Sequence, residues 1–379
     1  MATKTQSRAE RMAQVKRVVV KIGSSSLTGD GGALEKSAIR RLVREVIALR
    51  ERGLQVAIVS SGAVAAGMGR LGMAERPRSV AKLQALAAVG QNLLVHTYET
   101  AFAQHDVPVG QVLLSEADIL EERRHYENLR NTFRQLFDFG AVPVINENDS
   151  VAVVELKRSI GENDMLAAYV ANMIQAELLV ILSDVEGIYR RYRNGNGDDL
   201  ISEVKADAEK LDAVVGRKKG RMGHGGMETK IRAARLLMAC GEMTVIAHAG
   251  KHRLTKILEG QELGTLFAPA SKRMGSRKRW IGFASPPKGS VVVDDGAVRA
   301  IQQMGCSLLP AGVIGAQGLF RAGDVVRVED GGQTEVARGL SRYDSEEIGQ
   351  IKGLSSQEVE KILGKRASEV IHRDDLVLL

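Results

Sequence analysis

The sequence predicts an α/β protein in which a mostly parallel central sheet lies between two helical layers, an αβα sandwich, followed by a small, mainly β barrel domain. Three observations predict this fold. Short apolar runs rich in β-branched residues alternate with longer segments of helical spacing. The apolar runs are continuous, as in strands that a parallel sheet buries on both faces. After about residue 268, short runs separated by Gly-rich turns replace this alternation.

The elements of the first domain follow from these patterns in chain order. The apolar runs predict strands over 18–22, 56–59, 107–114, 141–145, 178–182 and 243–247. Helical spacing separates them and predicts helices over 35–52, 81–104, 128–139, 164–176 and 228–239. Gly53, Gly140 and Gly241 follow three of these helices, where glycine commonly ends a helix.

The change of pattern near residue 268 sets the domain boundaries. Residues 1–267 form the predicted α/β domain. Residues 268–287 are rich in Pro, Ser, Lys and Arg and read as a linker. Residues 288–379 contain the short apolar runs 290–293, 324–328 and 335–339, which are typical strands of a small barrel.

Composition excludes several classes of protein. The chain has 379 residues, of which 44% are hydrophobic and 26% charged, as expected of a folded globular protein. The two cysteines, Cys240 and Cys306, are too few for a disulfide framework or a zinc cluster, and they favour a reducing cytoplasm. The first 17 residues lack the apolar core of a signal peptide, and no run approaches the roughly 18 apolar residues of a membrane span.

The positive charge lies in the first domain. The whole chain carries 53 basic and 46 acidic residues, a net charge of +7. Residues 288–379 contain 11 basic and 14 acidic residues, a balance of −3, so residues 1–287 carry 42 and 32, or +10. The N-terminal part is therefore expected to bind the anionic ligand. Aromatic residues are only 4% of the chain, too few for obvious base-stacking surfaces.

Two segments with lysine beside small residues suggest phosphate chemistry. Lys21 lies at the end of the first strand and is followed by Gly23-Ser24-Ser25, where backbone N–H groups can approach phosphate oxygens. Alone, such a lysine is more often solvated. Residues 220–230 place four glycines before a helix whose first turn carries Lys230. A flexible surface loop is an equally good interpretation of that segment, and no Walker motif is present.

Three polar clusters fall at other strand and helix ends. Residues 146–149 (NEND) and 161–164 (GEND) combine carboxamides with carboxylates, which suits recognition of an ammonium group. Ser60-Ser61-Gly62-Ala63 is a strand-to-helix turn that can hold a carboxylate. Turns and helix caps explain each cluster singly. The seven histidines have no metal-ligand spacing, no GxSxG elbow occurs, and Cys240 is expected to pack in the core.

Together and in this order, these segments resemble the amino acid kinase family, and within it the glutamate 5-kinases. The matching stretches are VVVKIGSSSLT, IVSSGAVAAG, AAVGQ, VGQVLL, VPVINENDSVA, GENDMLAA, LLVILSDVEGIY, GHGGMETK and GTLF. The C-terminal segments KGSVVVDDGA, LLPAGV, GLSRYDS and VIHRDDL are similar to a PUA domain. The resemblance implies transfer of the γ-phosphoryl group of ATP to the side-chain carboxylate of L-glutamate, which gives L-glutamyl 5-phosphate for proline biosynthesis.

The resemblance also implies a role for each site residue. Lys21, Lys230 and Asp164 would be catalytic, with the carboxylate holding both ammonium groups in place. Ser61, Asp149 and Asn163 would bind glutamate. The ATP-binding set would comprise Lys21, Ser183, Asp184, His224, Gly225, Gly226, Met227, Glu228, Thr229 and Lys230. Mg²⁺ would be carried by the nucleotide, with no metal site made by the protein alone. His224, Glu162 and the segment 190–199 depart from the usual pattern of the family.

The implied partners are small molecules and other protein chains. The resemblance implies a cytoplasmic homo-oligomer, a dimer or tetramer, with proline as feedback inhibitor acting near residues 150–160 and a glutamyl phosphate reductase as a partner. No membrane or nucleic acid partner is expected. Two alternatives remain open at this point. One is a kinase of another amino acid, aspartate or acetylglutamate. The other is an RNA-binding PUA protein, which the C-terminal balance of −3 disfavours.

Overall fold

The chain forms two compact units in the computed structural model. The structure describes residues 6–29, 34–115, 118–119, 123–151, 163–193, 196–205, 226–269, 274–279, 281–282, 285–364 and 366–378. The first unit contains residues 1–118 and 124–273, and the second contains 119–123 and 274–379. Each unit has its own hydrophobic core.

The first unit is built from alternating strands and helices. Its strands are β1 (Arg17–Ile22), β2 (Gln55–Ser60), β3 (Val109–Leu114), β4 (Val142–Glu147), β5 (Leu178–Ser183), β6 (Tyr189–Arg193), β7 (Asn196–Leu200), β8 (Glu203–Lys205), β9 (Met243–His248) and β10 (Thr265–Ala268). Its helices are α1 (Arg8–Met12), α2 (Lys36–Glu51), α3 (Ala63–Arg70), α4 (Val80–Ala103), α5 (Arg123–Asp138), α6 (Asn163–Ile174), α7 (Gly226–Ala239) and α8 (Leu254–Leu258).

The central sheet is mostly parallel, as the continuous apolar runs predict. Its strand order is β3-β4-β2-β1-β5-β9-β10-β8. The strands from β3 to β9 in this order all run parallel, and β10 is antiparallel to β9. The chain moves from β1 toward β2 on one side and later returns to β5 on the other. The carboxyl ends beside β1 therefore lie at a switch point, where ligands of such sheets bind.

The two faces of the sheet are covered by different helices. Alternate residues of β1, β5 and β9 contribute to one large apolar cluster with α2, α4 and α8. The intervening residues, among them Lys21, Ile181 and Ile246, point to the opposite face. Helices α6 and α7 cover that face with small and apolar side chains such as Ala167, which is fully buried. Functional side chains at the carboxyl edge of this face are thus held by buried elements.

Close helix packing fixes the turn after β2. Gly90 of α4 lies against α3 so tightly that an added Cβ would stand 1.8 Å from the carbonyl oxygen of Ala63. A Cβ on Gly67 would stand 2.0 Å from the carbonyl oxygen of Leu86. Gly62 begins the turn with a left-handed φ of 110°, which favours glycine. The position of Ser61 is therefore set by backbone contacts that tolerate no larger residue.

The second unit has a five-stranded sheet with the order β12-β11-β13-β14-β15. Its strands are β11 (Gly289–Val293), β12 (Val313–Gln317), β13 (Val325–Glu329), β14 (Glu335–Leu340) and β15 (Leu376–Leu378). Its helices are α9 (Ser276–Arg279), α10 (Asp295–Met304), α11 (Ser345–Ile351) and α12 (Ser356–Leu363). The predicted fold class is confirmed.

Residues of the predicted linker 268–287 belong to the regular structure or the core of the two units. Ala268 belongs to β10, whereas Ile281 is buried against Val325 and Val377 in the second unit. The predicted boundaries 1–267, 268–287 and 288–379 stay a prediction. Within the described residues, no helix is both long and apolar enough to cross a membrane.

Candidate active site

Polar side chains converge where the carboxyl ends of β1, β2, β4 and β5 meet the first turns of α6 and α7. Lys21 is the last but one residue of β1 and Ser61 directly follows β2. Asn163 and Asp164 open α6, and Lys230 lies in the first turns of α7. All five side chains are buried. The parallel arrangement brings together residues that lie far apart in the chain.

A carboxylate bridges two lysines at the centre of the site. Lys21 Nζ lies 2.6 Å from Asp164 Oδ1, and Lys230 Nζ lies 3.1 Å from Asp164 Oδ2. The residues are only 5%, 3% and 8% exposed, in the order Lys21, Asp164 and Lys230. Since buried charges are found paired, the carboxylate is what permits two ammonium groups to stand here. The bridge carries a net charge of +1 toward the carboxyl edge.

Burial and ion pairing shift the pKa values of these groups in opposite directions. Burial is the largest effect on Lys21 and lowers the pKa of its ammonium group, which Asp164 only partly opposes. Burial alone would raise the pKa of Asp164, but Lys21 and Lys230 outweigh it and hold that pKa below its usual value. Asp164 is therefore ionised at neutral pH.

The start of α7 fixes the second lysine. The Thr229 hydroxyl donates to Asp164 Oδ2 at 2.9 Å, and Lys230 Nζ donates to the carbonyl oxygen of Gly226 at 2.8 Å. The bonds of Thr229 and Lys230 to Asp164 tie the start of α7 to the start of α6 across 65 and 66 residues of sequence, whereas the bond to Gly226 lies within α7. Within the described part of the chain, Lys230 uses two of its three ammonium hydrogens, in the bonds to Asp164 and Gly226.

A neutral polar network lies beside the bridge. Asn163 Nδ2 donates to Ser61 Oγ at 2.8 Å and to Asn146 Oδ1 at 2.9 Å. Asn146 in turn donates to Gln91 Oε1 at 2.8 Å. Asn163 Oδ1 is buried and has no hydrogen-bond partner within the described part of the chain. An acceptor left in this state fits a donor supplied by a ligand.

Two further predicted residues lie at the edges of the site. Asp149, in the turn after β4, is half-buried, and burial raises its pKa to about 6 although Arg76 lowers it in part. Ser183 ends β5 and is buried, and its hydroxyl donates to the exposed Asp184 at 2.9 Å. Asp149 is thus poised to change charge near pH 6, unlike Asp164.

The structure brings together Lys21, Asp164, Lys230, Asn163 and Ser61 as one contiguous set. Gly226 and Glu228 are exposed at the start of α7, and Met227 is half-buried there. His224, Gly225 and Glu162, together with residues 152–160 of the predicted proline segment, lie outside the described residues. The functional assignments of all these residues stay predictions.

Several residues that support the site have no individual role assigned from the sequence, although Asn146 and Ser60 lie in the polar clusters 146–149 and 60–63. Asn146 and Gln91 extend the Asn163 network, and the hydroxyls of Ser60 and Tyr98 lie 3.0 Å apart behind it. Asn146 opens the polar cluster that follows β4, so the signal was present but pointed to Asp149. Gln91 and Tyr98 lie inside a long helix, where a single polar residue gives no signal. Among the described residues, no group of three or more His, Cys, Asp or Glu could hold a metal ion.

Comparison with known proteins identifies the family to which the chain belongs. The family described as "Amino acid kinase family" matches residues 16–247, more than half of the chain, and "PUA domain" matches residues 289–363. The relatives of the chain include proteins named glutamate 5-kinase from several bacteria. That of Stutzerimonas stutzeri is 45% identical over 98% of this chain and 100% of its own. That of Pseudomonas putida is 46% identical over 96% and 98%. That of Geobacter sp. is 44% identical over 98% and 100%.

Proposed function

From the premise that this chain belongs to the amino acid kinase family and ends in a PUA domain, we propose that it is a glutamate 5-kinase. It transfers the γ-phosphoryl group of ATP to the side-chain carboxylate of L-glutamate and yields L-glutamyl 5-phosphate, the first step of proline biosynthesis. Its full-length similarity to three glutamate 5-kinases supports this activity. The observation that carries the proposal in the structure is the buried bridge of Lys21, Asp164 and Lys230 beside the Asn163 network.

The chemistry requires charge neutralisation more than proton transfer. Two anions, a carboxylate and a triphosphate, must approach in line, and negative charge spreads over the transferring group. The ammonium groups of Lys21 and Lys230 supply the compensating charge, and Asp164 fixes their positions. The substrate carboxylate is already a nucleophile at neutral pH, so no catalytic base is needed. The bridge therefore has the composition that this reaction demands.

The hydrogen-bond network of Asn163, beside the bridge, suits binding of the amino acid substrate. Asn163 offers a buried carbonyl oxygen to which no described residue donates, and the ammonium group of glutamate supplies a donor. Asp149 adds a negative charge when it is ionised, and the turn around Ser61 offers backbone N–H groups to a carboxylate. We assign Ser61, Asp149 and Asn163 to glutamate.

We place the nucleotide on the side of the Lys21–Asp164–Lys230 bridge opposite to the Asn163 network. We assign Ser183, Asp184 and the segment 224–230 to ATP, with Lys21 and Lys230 at its terminal phosphate. Mg²⁺ bound to the phosphates would supply further charge neutralisation. Residues 1–267 would carry the catalytic domain, joined by residues 268–287 to a PUA-like domain at 288–379.

One assay separates this proposal from its rivals. ATP-dependent hydroxamate formation should occur with glutamate and be at least tenfold slower with aspartate or acetylglutamate at equal concentration, an order-of-magnitude difference that a few lost contacts explain. Faster turnover of either competitor would refute the substrate assignment. Salt-dependent binding of RNA by the full chain, with no turnover of any amino acid, would favour the RNA-binding alternative.

We also propose the biological setting. The enzyme works in the cytoplasm as a homo-oligomer, a dimer or tetramer, is inhibited by proline near residues 150–160 and supplies a glutamyl phosphate reductase. An acyl phosphate hydrolyses readily in water, which favours a nearby consumer of the product. Inhibition of hydroxamate formation by proline, relieved by added glutamate, tests the feedback directly.

A further inference from the structure

The hydrogen bonds around His248 identify its tautomer. His248 ends β9, and its Nδ1 accepts from the backbone N–H of Gly250 at 2.9 Å and of Lys251 at 3.3 Å. A ring nitrogen that accepts hydrogen bonds carries no hydrogen, so the neutral ring bears its hydrogen on Nε2. Nε2 has no acceptor among the described residues. The half-buried ring therefore presents a fixed N–H donor.

The backbone around His248 is also held in place. Its own N–H donates to Nδ1 of His252 at 3.3 Å, and Ala249 N–H donates to the carbonyl oxygen of Ser183 at 2.8 Å. Burial lowers the pKa of His252, which keeps that ring neutral and able to accept. The direction of the His248 ring is therefore set before any ligand arrives.

Strand register places His248 on the same face as the catalytic bridge. Ser183 pairs with His248 in the sheet, and Lys21, Ile181 and Ile246 form the preceding row of that face. The side chains of paired residues in a parallel sheet share one face. β9 lies two strands from β1, a lateral separation of about 10 Å. His248 thus stands on the site's own face, but too far from Lys21 to touch the transferring phosphoryl group.

The loops after β5 and β9 are joined at this position. Lys251 forms an ion pair with Glu186, and the Tyr189 hydroxyl donates to the same carboxylate at 3.4 Å. Both groups are partly exposed, so the pair contributes little to stability. It does connect the turn that follows His248 with the segment after Asp184. The segments that follow β5 and β9 are therefore linked to each other at the carboxyl edge of the sheet.

We propose that His248 is a positioning and specificity residue for the nucleotide, whose Nε2–H donates to an acceptor atom on the nucleoside part of ATP. This rests on the proposed function, which puts the terminal phosphate at Lys21 and Lys230. A nucleotide that extends from there past Ser183 along the carboxyl edge brings its nucleoside to β9. At about 10 Å from β1, this donor is beyond the terminal phosphate held by Lys21 and Lys230, so the acceptor is a ring nitrogen or ribose oxygen of the nucleoside.

Two substitutions separate this role from a purely structural one. His248→Asn keeps an acceptor near the place of Nδ1, so the loop bonds to Gly250 and Lys251 can survive, but it removes the distal donor. His248→Gln keeps a distal N–H donor and loses the loop acceptor. We expect His248→Asn to raise the Kd of a non-hydrolysable ATP analogue about two- to tenfold, the effect of one neutral hydrogen bond, with glutamate KM unchanged. His248→Gln should bind the analogue more tightly than His248→Asn.

The reverse order of the two variants, or unchanged binding by His248→Asn, would overturn the inference. A second measurement needs no substitution in the protein: ATP analogues that each lack one ring nitrogen or one ribose hydroxyl. At least one should bind the parent two- to tenfold more weakly, again about one hydrogen bond, and equal binding of all analogues also overturns the proposal. Binding is measured without glutamate. Failure of glutamate turnover with a normal His248 effect would therefore count only against the proposed function.

Discussion

Lys230→Met tests the central claim that a buried ammonium group stabilises the transition state. Methionine preserves most of the aliphatic volume and removes the charge. If Lys230 neutralises charge that develops on the phosphoryl group, its loss weakens transition-state binding more than ground-state binding. Loss of one such donor costs roughly 2.7–4 kcal/mol, which is on the order of 10²–10³ in kcat. We expect that decrease, with smaller changes in KM for ATP and glutamate.

The structure indicates that the Lys230→Met protein remains folded. Asp164 keeps Lys21 at 2.6 Å and the Thr229 hydroxyl at 2.9 Å, so its carboxylate stays compensated. The substitution loses the hydrogen bonds of Lys230 to Asp164 and Gly226, and charged hydrogen bonds contribute about 1.5–3 kcal/mol each to stability. A thermal unfolding transition should persist at lower temperature.

Lys256→Met is the matched control for loss of a lysine. Lys256 lies on α8 in an exposed pair with Glu259, which is worth at most about 1 kcal/mol. Steady-state kcat for this variant should equal that of the parent. Lys230→Arg should not restore the rate fully, since a planar guanidinium cannot take the place of a compact ammonium group. A folded Lys230→Met protein that keeps more than about a tenth of the parent kcat refutes the catalytic role.

Two further predictions concern the glutamate side. Asn163→Ala should raise the KM for glutamate by about 10-fold or more, which is the effect of a lost hydrogen bond to a charged group, and should leave the KM for ATP nearly unchanged. Steady-state kinetics with each substrate varied in turn measures both constants. A change in the KM for ATP alone would contradict the assignment. Because burial raises the pKa of Asp149 to about 6, this carboxylate loses its charge as the pH falls below 6, while the glutamate side chain stays ionised. Glutamate KM should therefore rise between pH 7 and 5 in the parent but not in Asp149→Asn, and parallel pH profiles would exclude the assignment.

The sequence predicts the architecture well where strands are buried on both faces. The apolar runs of β1, β2, β4, β5 and β9 are continuous because both faces of the sheet are covered, and each was predicted within about two residues. The hairpin of β6 and β7 was not predicted, because its residues 189–200 are mostly polar. β10 has only four residues, and its antiparallel direction depends on partners distant in the chain. Periodicity carries no information of that kind.

The candidate site, like the fold, could be predicted from the sequence only in part. Lys21, Ser61 and Asp164 each lie at a strand or helix end, and the convergence of such ends at one sheet edge is enough to make them candidates. The bond from Thr229 to Asp164 joins helices 65 residues apart and depends on side-chain direction. The tautomer of His248 depends on two backbone N–H groups in the following turn. Such contacts are decided by packing geometry, which spacing along the chain does not encode.

The charge balance of the bridge explains why an acid belongs in a site that binds anions. Two buried ammonium groups without Asp164 would repel each other and lose their partner, and breaking a buried pair in this way costs about 3–5 kcal/mol. Asp164→Asn should therefore lower the melting temperature. Mg-ATP should raise the melting temperature of this variant more than that of the parent, since the phosphates replace the missing negative charge. Its kcat should still fall on the order of 10²-fold, because both lysines remain but are no longer held at 2.6 and 3.1 Å from a common carboxylate. A variant with parental kcat and the parental response to Mg-ATP would show that Asp164 serves the fold alone. The combination of weaker fold, stronger rescue by nucleotide and slower turnover is specific to a carboxylate that both balances the charge of the two lysines and positions them for the phosphoryl group.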